Sequence, residues 1–430
     1  MEATEESAVL RNVISFAIRE NRNINLLRSI SFKQEHSDPS FTPPRLSSPS
    51  LTDSTYKCIS SVIKMDGQIL SLAVSNTMAY TGSSSNVIRI WKLPEMTECG
   101  QLKSKTKMVV AIEVSDDRVF AAYGDCKIRV WSRGTCRGVT KHVRLATIPK
   151  IGGYVRSYIS GKDKTVLDEI SFVAVGHYEY AIERFLKSRL KMNMKHMAPI
   201  SSLAMNLSDD IIYSASLDKT VKVWRISDLK CIETIQAHSA PINAIVLGEG
   251  ILYTASDDAT VKVWRQNFPS GHRPHTHTMT LPAKYSPVKT LTLNPDGRVL
   301  YGGCTDGFIH YWLRGSFVGQ MQYAGSFRGH THAVMCLTSV ANFLVSGSAD
   351  STARLWSRDN NGIHSCVAVL RGYRGPIRSL AAFPSLVLDE GDDKSINICT
   401  GSMDGLLKVW RVKCNNTRLK SIGSNNFQVN

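Results

Sequence analysis

The alternation of apolar and polar residues between Lys230 and Trp264 predicts four consecutive β-strands. The apolar runs read CIETI, INAIV, ILYTAS and TVKVW, and turn-forming residues such as those at 248–250 and 257–258 separate them. Alternation with a period of two residues indicates a strand that packs on one or both faces. Four such strands joined by short turns form one antiparallel meander.

The same unit recurs along the chain, and tryptophan marks its period. Each tryptophan closes a β-branched or aromatic run, and five of the six intervals between tryptophans measure 40 to 54 residues. An Asp stands six residues before the Trp in six copies, and a Ser stands eight residues before it in five. Such self-similarity is typical of arrays of small sheets. The seven positions are Trp91, Trp131, Trp224, Trp264, Trp312, Trp356 and Trp410.

These spacings resemble those of the WD40 repeat family over residues 57–411, which implies an all-β, seven-bladed propeller. In that family a structural tetrad joins a His before the first strand, a Ser on the second strand, a turn Asp and the Trp. The resemblance implies three complete tetrads: His196, Ser216, Asp218 and Trp224; His238, Ser256, Asp258 and Trp264; and His330, Ser348, Asp350 and Trp356.

The other four blades match the tetrad only in part. Met65, Lys105 and Lys284 stand at the His position of blades one, two and five, which implies broken hydrogen-bond chains there. Tyr373 stands at the His position of blade seven. The partial tetrads comprise Ser83, Trp91, Asp125, Trp131, Asp306, Trp312, Ser402, Asp404 and Trp410.

The physical reason for such a tetrad is the satisfaction of buried polar groups. A buried indole N–H needs an acceptor, and a Ser hydroxyl that is bonded in turn to His and Asp leaves no group unpaired. An unpaired group costs about 1–3 kcal/mol. The alternative is a hydrolytic triad, but the set repeats in three blades and lacks a nucleophile elbow. We therefore predict no catalytic residue, no cofactor and no enzyme activity.

The two ends of the repeat region predict how the propeller closes. Residues 56–62 resemble the run that precedes the fourth tryptophan, so they predict an outermost strand. The last repeat ends near Trp410 with its third strand. The simplest closure pairs the strand near Lys57–Val62 with the strand that ends at Trp410, which removes the open sheet edges.

Three segments depart from the repeat. Residues 1–55, rich in Ser and Pro towards their end, and 416–430 predict disordered tails on a propeller domain at 56–415. Ser40 and Ser48 lie where a kinase could reach them. Residues of about 138–195 predict a basic insertion between blades two and three; a degenerate eighth blade is the alternative.

The net charge of +16 is concentrated in one part of the chain. Residues 132–195 hold thirteen Lys and Arg against five Asp and Glu, whereas residues 1–55 hold six against seven. The excess positive charge is therefore local to this segment and does not indicate a nucleic-acid-binding surface over the whole protein. It leaves open an alternative function, the binding of RNA or an anionic surface through residues 141–195.

A histidine-rich stretch and the cysteines carry less information. His272, His275 and His277 lie within Phe268–Pro287 and could bind a transition metal, but a polar loop joining blades four and five is favoured because no fourth ligand accompanies them. No metal is predicted. The ten cysteines form no CxxC pair, and no apolar run reaches the roughly 18 residues of a membrane span. We expect a soluble cytoplasmic or nuclear protein.

The function that these features favour is a non-catalytic, monomeric scaffold for other proteins, whose identity the sequence does not reveal. The Trp410-Arg411 ending and the Ser/Pro-rich leader resemble the plant JINGUBANG-type WD-repeat proteins. A ubiquitin-ligase substrate receptor ranks lower, because its docking box ends in Trp-Asp-x-Arg and Asp follows no Trp here. The candidate partner face comprises Leu217, Asp257, Ala349, Met403, Ser239, Thr331 and Arg374.

Overall fold

A computed structural model describes residues 56–64, 66–75, 77–106, 108–136, 139–149, 195–266, 275–283, 286–315, 320–359, 361–384 and 394–414. Within these residues, 28 strands form seven antiparallel sheets of four strands each. The innermost strand of each sheet packs against that of the next, and the seventh packs against the first. The predicted all-β, seven-bladed propeller is confirmed.

The strands of blades one to four follow the chain from the inner to the outer edge of each sheet. They are β2 (Ile69–Ser75), β3 (Met78–Ser83), β4 (Val87–Lys92) and β5 (Thr97–Lys103); β6 (Val109–Val114), β7 (Arg118–Tyr123), β8 (Lys127–Cys136) and β9 (Val139–Ile148); β10 (Ile200–Asn206), β11 (Ile211–Ser216), β12 (Thr220–Arg225) and β13 (Cys231–Gln236); β14 (Ile242–Gly248), β15 (Ile251–Ser256), β16 (Thr260–Gln266) and β17 (His275–Pro282).

Blades five and six repeat this order, whereas blade seven takes its outer strand from the other end of the chain. The strands are β18 (Val288–Leu293), β19 (Val299–Cys304), β20 (Phe308–Arg314) and β21 (Met321–Arg328); β22 (Val334–Val340), β23 (Phe343–Ser348), β24 (Ala353–Arg358) and β25 (His364–Leu370); β26 (Ile377–Pro384), β27 (Lys394–Ser402), β28 (Leu406–Cys414) and β1 (Tyr56–Ile63).

The closure of the ring is the one that the sequence predicts. Strand β1 pairs antiparallel with β28, so that Cys58 lies opposite Trp410 and Ser60 lies opposite Val409. The first strand of the described chain therefore completes the last sheet. This pairing covers the edge of β28, which would otherwise present unpaired N–H and C=O groups.

Burial falls from the middle of each blade towards its rim. All six residues of β11 and of β15 are buried, whereas the outer strand β13 alternates between half-buried and exposed positions over most of its length. Strands that are packed on both faces read as continuous apolar runs, and outer strands read as alternating ones. The core therefore lies between neighbouring blades rather than inside any one of them.

Each tryptophan packs across a blade boundary. Trp224 of blade three lies in one apolar cluster with Phe120 and Val130 of blade two, and Trp264 of blade four lies in a cluster with Tyr213 of blade three. The same relation holds for the other five tryptophans, including Trp91, which packs on blade seven. Each tryptophan therefore marks one interface between neighbouring blades.

Two predicted boundaries are wrong. The basic insertion was placed at about 138–195, but Val139–Ile148 is strand β9, which extends a hairpin with β8. The stretch Phe268–Pro287 was expected to be a loop, yet it contains β17, because His275–Pro282 pairs along β16. Alternation is weak in both runs, so their strand character is visible only in the pairing. The predicted tails, Ser40, Ser48, residues 150–194 with the question of an eighth blade, and His272 lie outside the described residues.

Candidate functional site

The tetrad of blade three is a continuous chain of hydrogen bonds. The Trp224 indole N–H donates to Ser214 Oγ at 2.9 Å, and Ser214 Oγ lies 2.8 Å from His196 Nε2. His196 Nδ1 lies 2.9 Å from Asp218 Oδ2. Blades four and six repeat this geometry with a hydroxyl ten residues before the Trp, supplied by Thr254 and Ser346.

The predicted hydroxyl of the tetrad is therefore wrong in all three blades. The sequence pointed to Ser216, Ser256 and Ser348, whose hydroxyls instead donate to carbonyls before the first strand, of Ala198, Ala240 and His332, and accept the N–H of the turn Asp. The register explains the difference, because Trp224 lies opposite Ile212. Ser214 is two residues along the same face from Ile212, whereas Ser216 is four residues, or about 13 Å, along it.

The remaining blades satisfy the indole in other ways or not at all. Trp91 donates to Thr81 Oγ1 at 2.8 Å, and Trp410 donates at 2.7 Å to the Tyr373 hydroxyl, which also bonds to Thr400. Tyr373 thus takes the place of the His in blade seven. In blade five Gly302 stands at the acceptor position, and Trp312 Nε1 is buried without a partner among the described residues.

Ionisation strengthens the His–Asp links. Burial alone would raise the pKa of Asp218, but its hydrogen bonds to His196 and Thr220 and the backbone N–H of Met197 hold that pKa below its usual range. The pKa values of Asp258 and Asp350 are lowered by the same kinds of contact. Burial lowers the pKa of His238. The tetrads therefore pair a carboxylate with a His in the folded protein.

This Asp–His–hydroxyl order is the order of a hydrolytic triad, but its surroundings give it a different role. The hydroxyl-bearing residues Ser214, Thr254 and Ser346 are 0% exposed, and each hydroxyl already accepts an indole N–H. A nucleophile must reach its substrate, and these oxygens lie between blades. The arrangement serves to fix the loop that carries the His against the turn that carries the Asp.

Those loops and turns form one end of every blade, here called the loop face. The Asp carboxylate of each tetrad accepts the N–H of the residue after the His, which is Met197, Ser239 or Thr331, and Asp404 accepts that of Arg374. The residues before the Asp donate their N–H to the start of the inner strand. These are Leu217 to Pro199, Asp257 to Pro241, Ala349 to Ala333 and Met403 to Pro376.

The structure thus brings all seven residues of the predicted partner face to the loop face, although not all of them are accessible. Leu217 is 40% exposed, and Ser239, Thr331 and Arg374 are also exposed. Ala349 and Met403 are half-buried. Asp257 is half-buried as well, and its carboxylate accepts from Asn243 Nδ2 at 2.7 Å and from Lys289.

Two large apolar residues of the loop face were missed by the sequence analysis. Met197 is 67% exposed and Met108 is 45% exposed. Met197 follows His196 as Ser239 follows His238, so the same spacing rule could have found it. Met108 stands immediately before β6, and the equivalent residues before the inner strands of the next two blades are Pro199 and Pro241. The Met108 carbonyl accepts the N–H of Gly124.

Two of the three histidines that were considered as possible metal ligands, His275 and His277, have protein partners. His275 lies between Glu233 and the Tyr213 hydroxyl, at 2.5 and 3.0 Å, and His277 packs on the Trp264 ring and bonds to Thr280. Among the described residues, no group of three or more His, Cys, Asp and Glu side chains could hold a metal ion. In the same part of the chain, no helix has the length and hydropathy that crossing a bilayer would require.

Seven sheets, inter-blade tryptophans and tetrad-anchored loops define a repeat-built β-propeller. The family model described as WD domain, G-beta repeat matches residues 188–225, 229–265, 275–312, 321–357 and 364–411. The chain therefore belongs to the WD40 repeat family.

Several characterised proteins are similar to parts of the chain. Ribosome biogenesis protein YTM1 of Kluyveromyces lactis is 26% identical over 178 residues, which are 37% of this chain and 36% of that protein. Pre-mRNA-processing factor 19 of Oryza sativa subsp. japonica is 29% identical over 37% of this chain and 30% of its own length. Nuclear distribution protein PAC1 of Arthroderma otae is 23% identical over 67% of this chain and 57% of its own length. The matches cover less than two thirds of each relative.

Proposed function

We propose that this protein is a non-catalytic scaffold that binds other proteins through the loop face of its propeller. The observation that carries the proposal is the anchoring of that face. In four blades an Asp carboxylate holds the backbone of the neighbouring loop, so Met197, Ser239, Thr331 and Arg374 stand at equivalent, fixed positions. Side chains on a rigid scaffold lose little entropy when they bind.

The comparisons support this role without naming the partner. The relatives are a ribosome biogenesis protein, a pre-mRNA-processing factor and a nuclear distribution protein, which differ in the process that they are named for. The cytoplasm and the nucleus are the two predicted locations, and the names of the ribosome biogenesis protein and the pre-mRNA-processing factor favour the nucleus. Within the family, we propose a relation to the plant JINGUBANG-type proteins, on the sequence features given above.

The test compares the partners that are captured by three forms of the full chain after cross-linking. The first is the intact protein, the second is a triple variant, Leu217→Ser, Met403→Ser and Arg374→Glu, and the third lacks residues 151–193. We expect the triple variant to lose most specific partners and the deletion to keep them. The deletion begins after β9 and ends before Lys195, so the described residues on both sides of it remain in the chain.

The opposite result would move the function away from the loop face. Loss of partners only in the deletion, with sensitivity to salt and to ribonuclease, would assign the function to RNA binding by the basic segment. Equal capture by all three forms would contradict both readings. Unchanged thermal unfolding of each variant is the control for folding.

A further inference from the structure

One sector of the loop face carries three exposed large apolar side chains. Met108 of blade two and Met197 and Leu217 of blade three are 45%, 67% and 40% exposed. The residues equivalent to Met197 in blades four and six are Ser239 and Thr331, which are polar. Large apolar side chains that are exposed together on a rigid surface mark interaction sites more often than chance exposure does.

Hydrogen bonds and the packing of neighbouring blades place these three residues along one continuous surface. Met197 donates its N–H to Asp218 at 2.8 Å, and Leu217, the residue before Asp218, donates its N–H to Pro199 at 3.1 Å. Met108 accepts the N–H of Gly124 at 2.9 Å, at the turn that also carries Cys126. The equivalent turn of blade three adjoins the His loop of blade four, because the carbonyl of Lys219 accepts the N–H of Ala237 at 3.2 Å, and blade two packs on blade three in the same way through β6, β7 and β10.

The apolar sector is surrounded by positive charge. Lys105, Lys127, Lys195 and Lys219 stand on the same loops and turns, and none of them forms an ion pair with another described residue. The two carboxylates of the sector already have partners. Asp125 is bound by Arg129 at 2.8 Å, and Asp218 is bound by His196 at 2.9 Å. With four lysines and Arg129 against these two carboxylates, the sector presents its apolar side chains in a field of excess positive charge.

We propose that this sector, formed by Met108, Met197 and Leu217 with the four lysines, binds a short acidic segment of a partner protein that carries large apolar side chains. The inference rests on the proposed function and adds the position of the site and the chemistry of its ligand. Burial of the Met and Leu side chains supplies affinity, and the lysines supply orientation and a faster encounter with acidic residues.

Charge complementarity distinguishes this occupant from segments of the chain itself. Residues 150–194, which end next to Lys195, contain eight Lys and Arg against five Asp and Glu, so they carry the wrong sign for a lysine-rich surface. Residues 1–55 contain six against seven and are nearly neutral. Nucleic acid fits the lysines but not the apolar residues, because bases stack on aromatic rings, and the exposed side chains here are Met and Leu.

The probe is a random library of twelve-residue peptides displayed on phage and selected against the full-length protein. We expect selected sequences to be enriched in Asp and Glu together with Leu, Ile, Phe or Met. The best peptide is then synthesised, and its binding is measured by fluorescence anisotropy. Its Kd should rise about tenfold or more with Met197→Ser or Leu217→Ser, and by a comparable factor with Lys219→Glu at low salt.

The matched controls are exposed residues at the opposite end of the blades from the loop face. Leu207→Ser and Ile363→Ser match the two apolar substitutions, since these side chains are 56% and 64% exposed, and Lys92→Glu reverses an exposed charge. These variants should leave the Kd within about twofold. The substituted apolar side chains are exposed, so unchanged thermal unfolding is expected and confirms that each variant is folded.

Four results would overturn the proposal. The selected peptides could lack enrichment in acidic and apolar residues, or their binding could be unaffected by Met197→Ser and Leu217→Ser. Either result would contradict the proposed ligand class but not the proposed scaffold function of the loop face. Binding of a twenty-nucleotide single-stranded RNA that is lost with Lys219→Glu but not with Leu217→Ser would assign the lysines to nucleic acid. Peptide affinity that rises severalfold on deletion of residues 151–193 would make the chain's own segment the occupant.

Discussion

Residue scale: the buried indole is common to the seven blades, but its hydrogen-bond acceptor is not. Three blades use Ser214, Thr254 or Ser346 with a His, blade one uses Thr81, and blade seven uses the Tyr373 hydroxyl. A buried donor costs most when its acceptor is removed and the donor stays behind. The acceptor residue therefore decides how much each tryptophan contributes to stability.

We expect Ser214→Ala to destabilise the protein more than Ser216→Ala does. The first substitution leaves both the Trp224 N–H and His196 Nε2 without a partner, at a cost of about 2–4 kcal/mol. The second removes a bond to a carbonyl and a turn N–H, at a cost of about 1 kcal/mol. Urea unfolding of the two variants measures the difference. Equal losses would show that the indole is satisfied by another group.

A second comparison concerns the tryptophan that has no acceptor. Trp312→Phe deletes an N–H that is buried and unpaired among the described residues, so its cost is that of the smaller ring alone. Trp224→Phe carries the same loss of volume and also frees the Ser214 hydroxyl. We expect the second variant to be less stable than the first by about 1–2 kcal/mol in urea unfolding. The reverse order would mean that Trp312 has a partner after all.

The sequence could predict three members of each tetrad but not the fourth, for a physical reason. The Asp and Trp stand six residues apart because a turn and a strand of constant length separate them, and the His precedes the Asp by 20 or 22 residues. Ser recurs eight residues before the Trp because it caps the turn, as Ser216 does. The acceptor position ten residues before the Trp varies among Thr81, Ala121, Gly302 and the Ser and Thr of the complete tetrads. The more regular position was mistaken for the acceptor.

Element scale: outer strands are tied to the neighbouring blade by a repeated pair of rings. The Tyr80, Tyr213 and Tyr301 hydroxyls lie 3.0 Å from Nε2 of His142, His275 and His364 respectively, with the rings edge to face. The pairs join blade one to two, three to four, and five to six. Each Tyr lies on a second strand and each His on an outer strand of the next blade, so the rim is fixed as well as the core.

The pair of Tyr301 and His364 predicts a loss of stability at mildly acidic pH. Burial and the nearby Arg358 lower the pKa of His364 to about 4, against about 6.5 in an unfolded chain. The unfolded state therefore binds the proton first, and the stabilisation is complete above pH 6.5 and is lost as the pH falls towards 4. Because His364 is partly solvated, we expect about 1 kcal/mol of this loss between pH 7 and pH 5.

The measurement is the free energy of unfolding in urea at pH 7 and at pH 5. His364→Gln removes the titration, so the difference between the two pH values should shrink by the amount given above. His332→Gln, at an exposed position of the loop face, is the matched control and should leave the difference unchanged. A pH dependence that is identical in all three proteins would contradict the prediction.

The strands could be predicted from alternation, but their irregularities could not. In every inner strand the second residue has no partner on the neighbouring strand, as between Ile69 and Ser71. In every outer strand one residue next to the partner of the Trp is unpaired in the same way, as between Cys58 and Ser60. Such bulges increase the local twist and redirect side chains. They depend on the partner strand, so no periodicity within one strand reveals them.

Whole-molecule scale: the ring is closed by one pair of strands, β1 and β28, and its integrity depends on that pair. We expect a form that lacks residues 1–64 to have a Tm lower by about 5 °C or more and to form oligomers, because the edge of β28 becomes available to another chain. A form that lacks residues 1–55 keeps β1 and is the control. A synthetic peptide of residues 56–64 should restore the monomer.

Thermal unfolding and size-exclusion chromatography measure this prediction. Equal behaviour of the two truncated forms would mean that β1 contributes little to the closed ring.

The number of blades and the closure could be predicted from the sequence, because seven tryptophans and one unmatched outer strand define them. In the apolar sector, the position of Met197 on the loop face also follows from the spacing after His196, but the exposure of Met108 and Met197 is visible only in the structure.

The same pairing has a consequence for how the protein is made. Ile63 and its partner Leu406 are 343 positions apart in the chain, so at about 5–20 residues per second the ribosome delivers them roughly 20 to 70 seconds apart. Until then β1 has no partner strand, and the blades already made form an open arc whose two end blades each have one uncovered face. Nascent chains of this protein should therefore engage chaperones most strongly before β28 has emerged, and loop-face ligands that span blades one and seven should bind only after β28 has paired with β1.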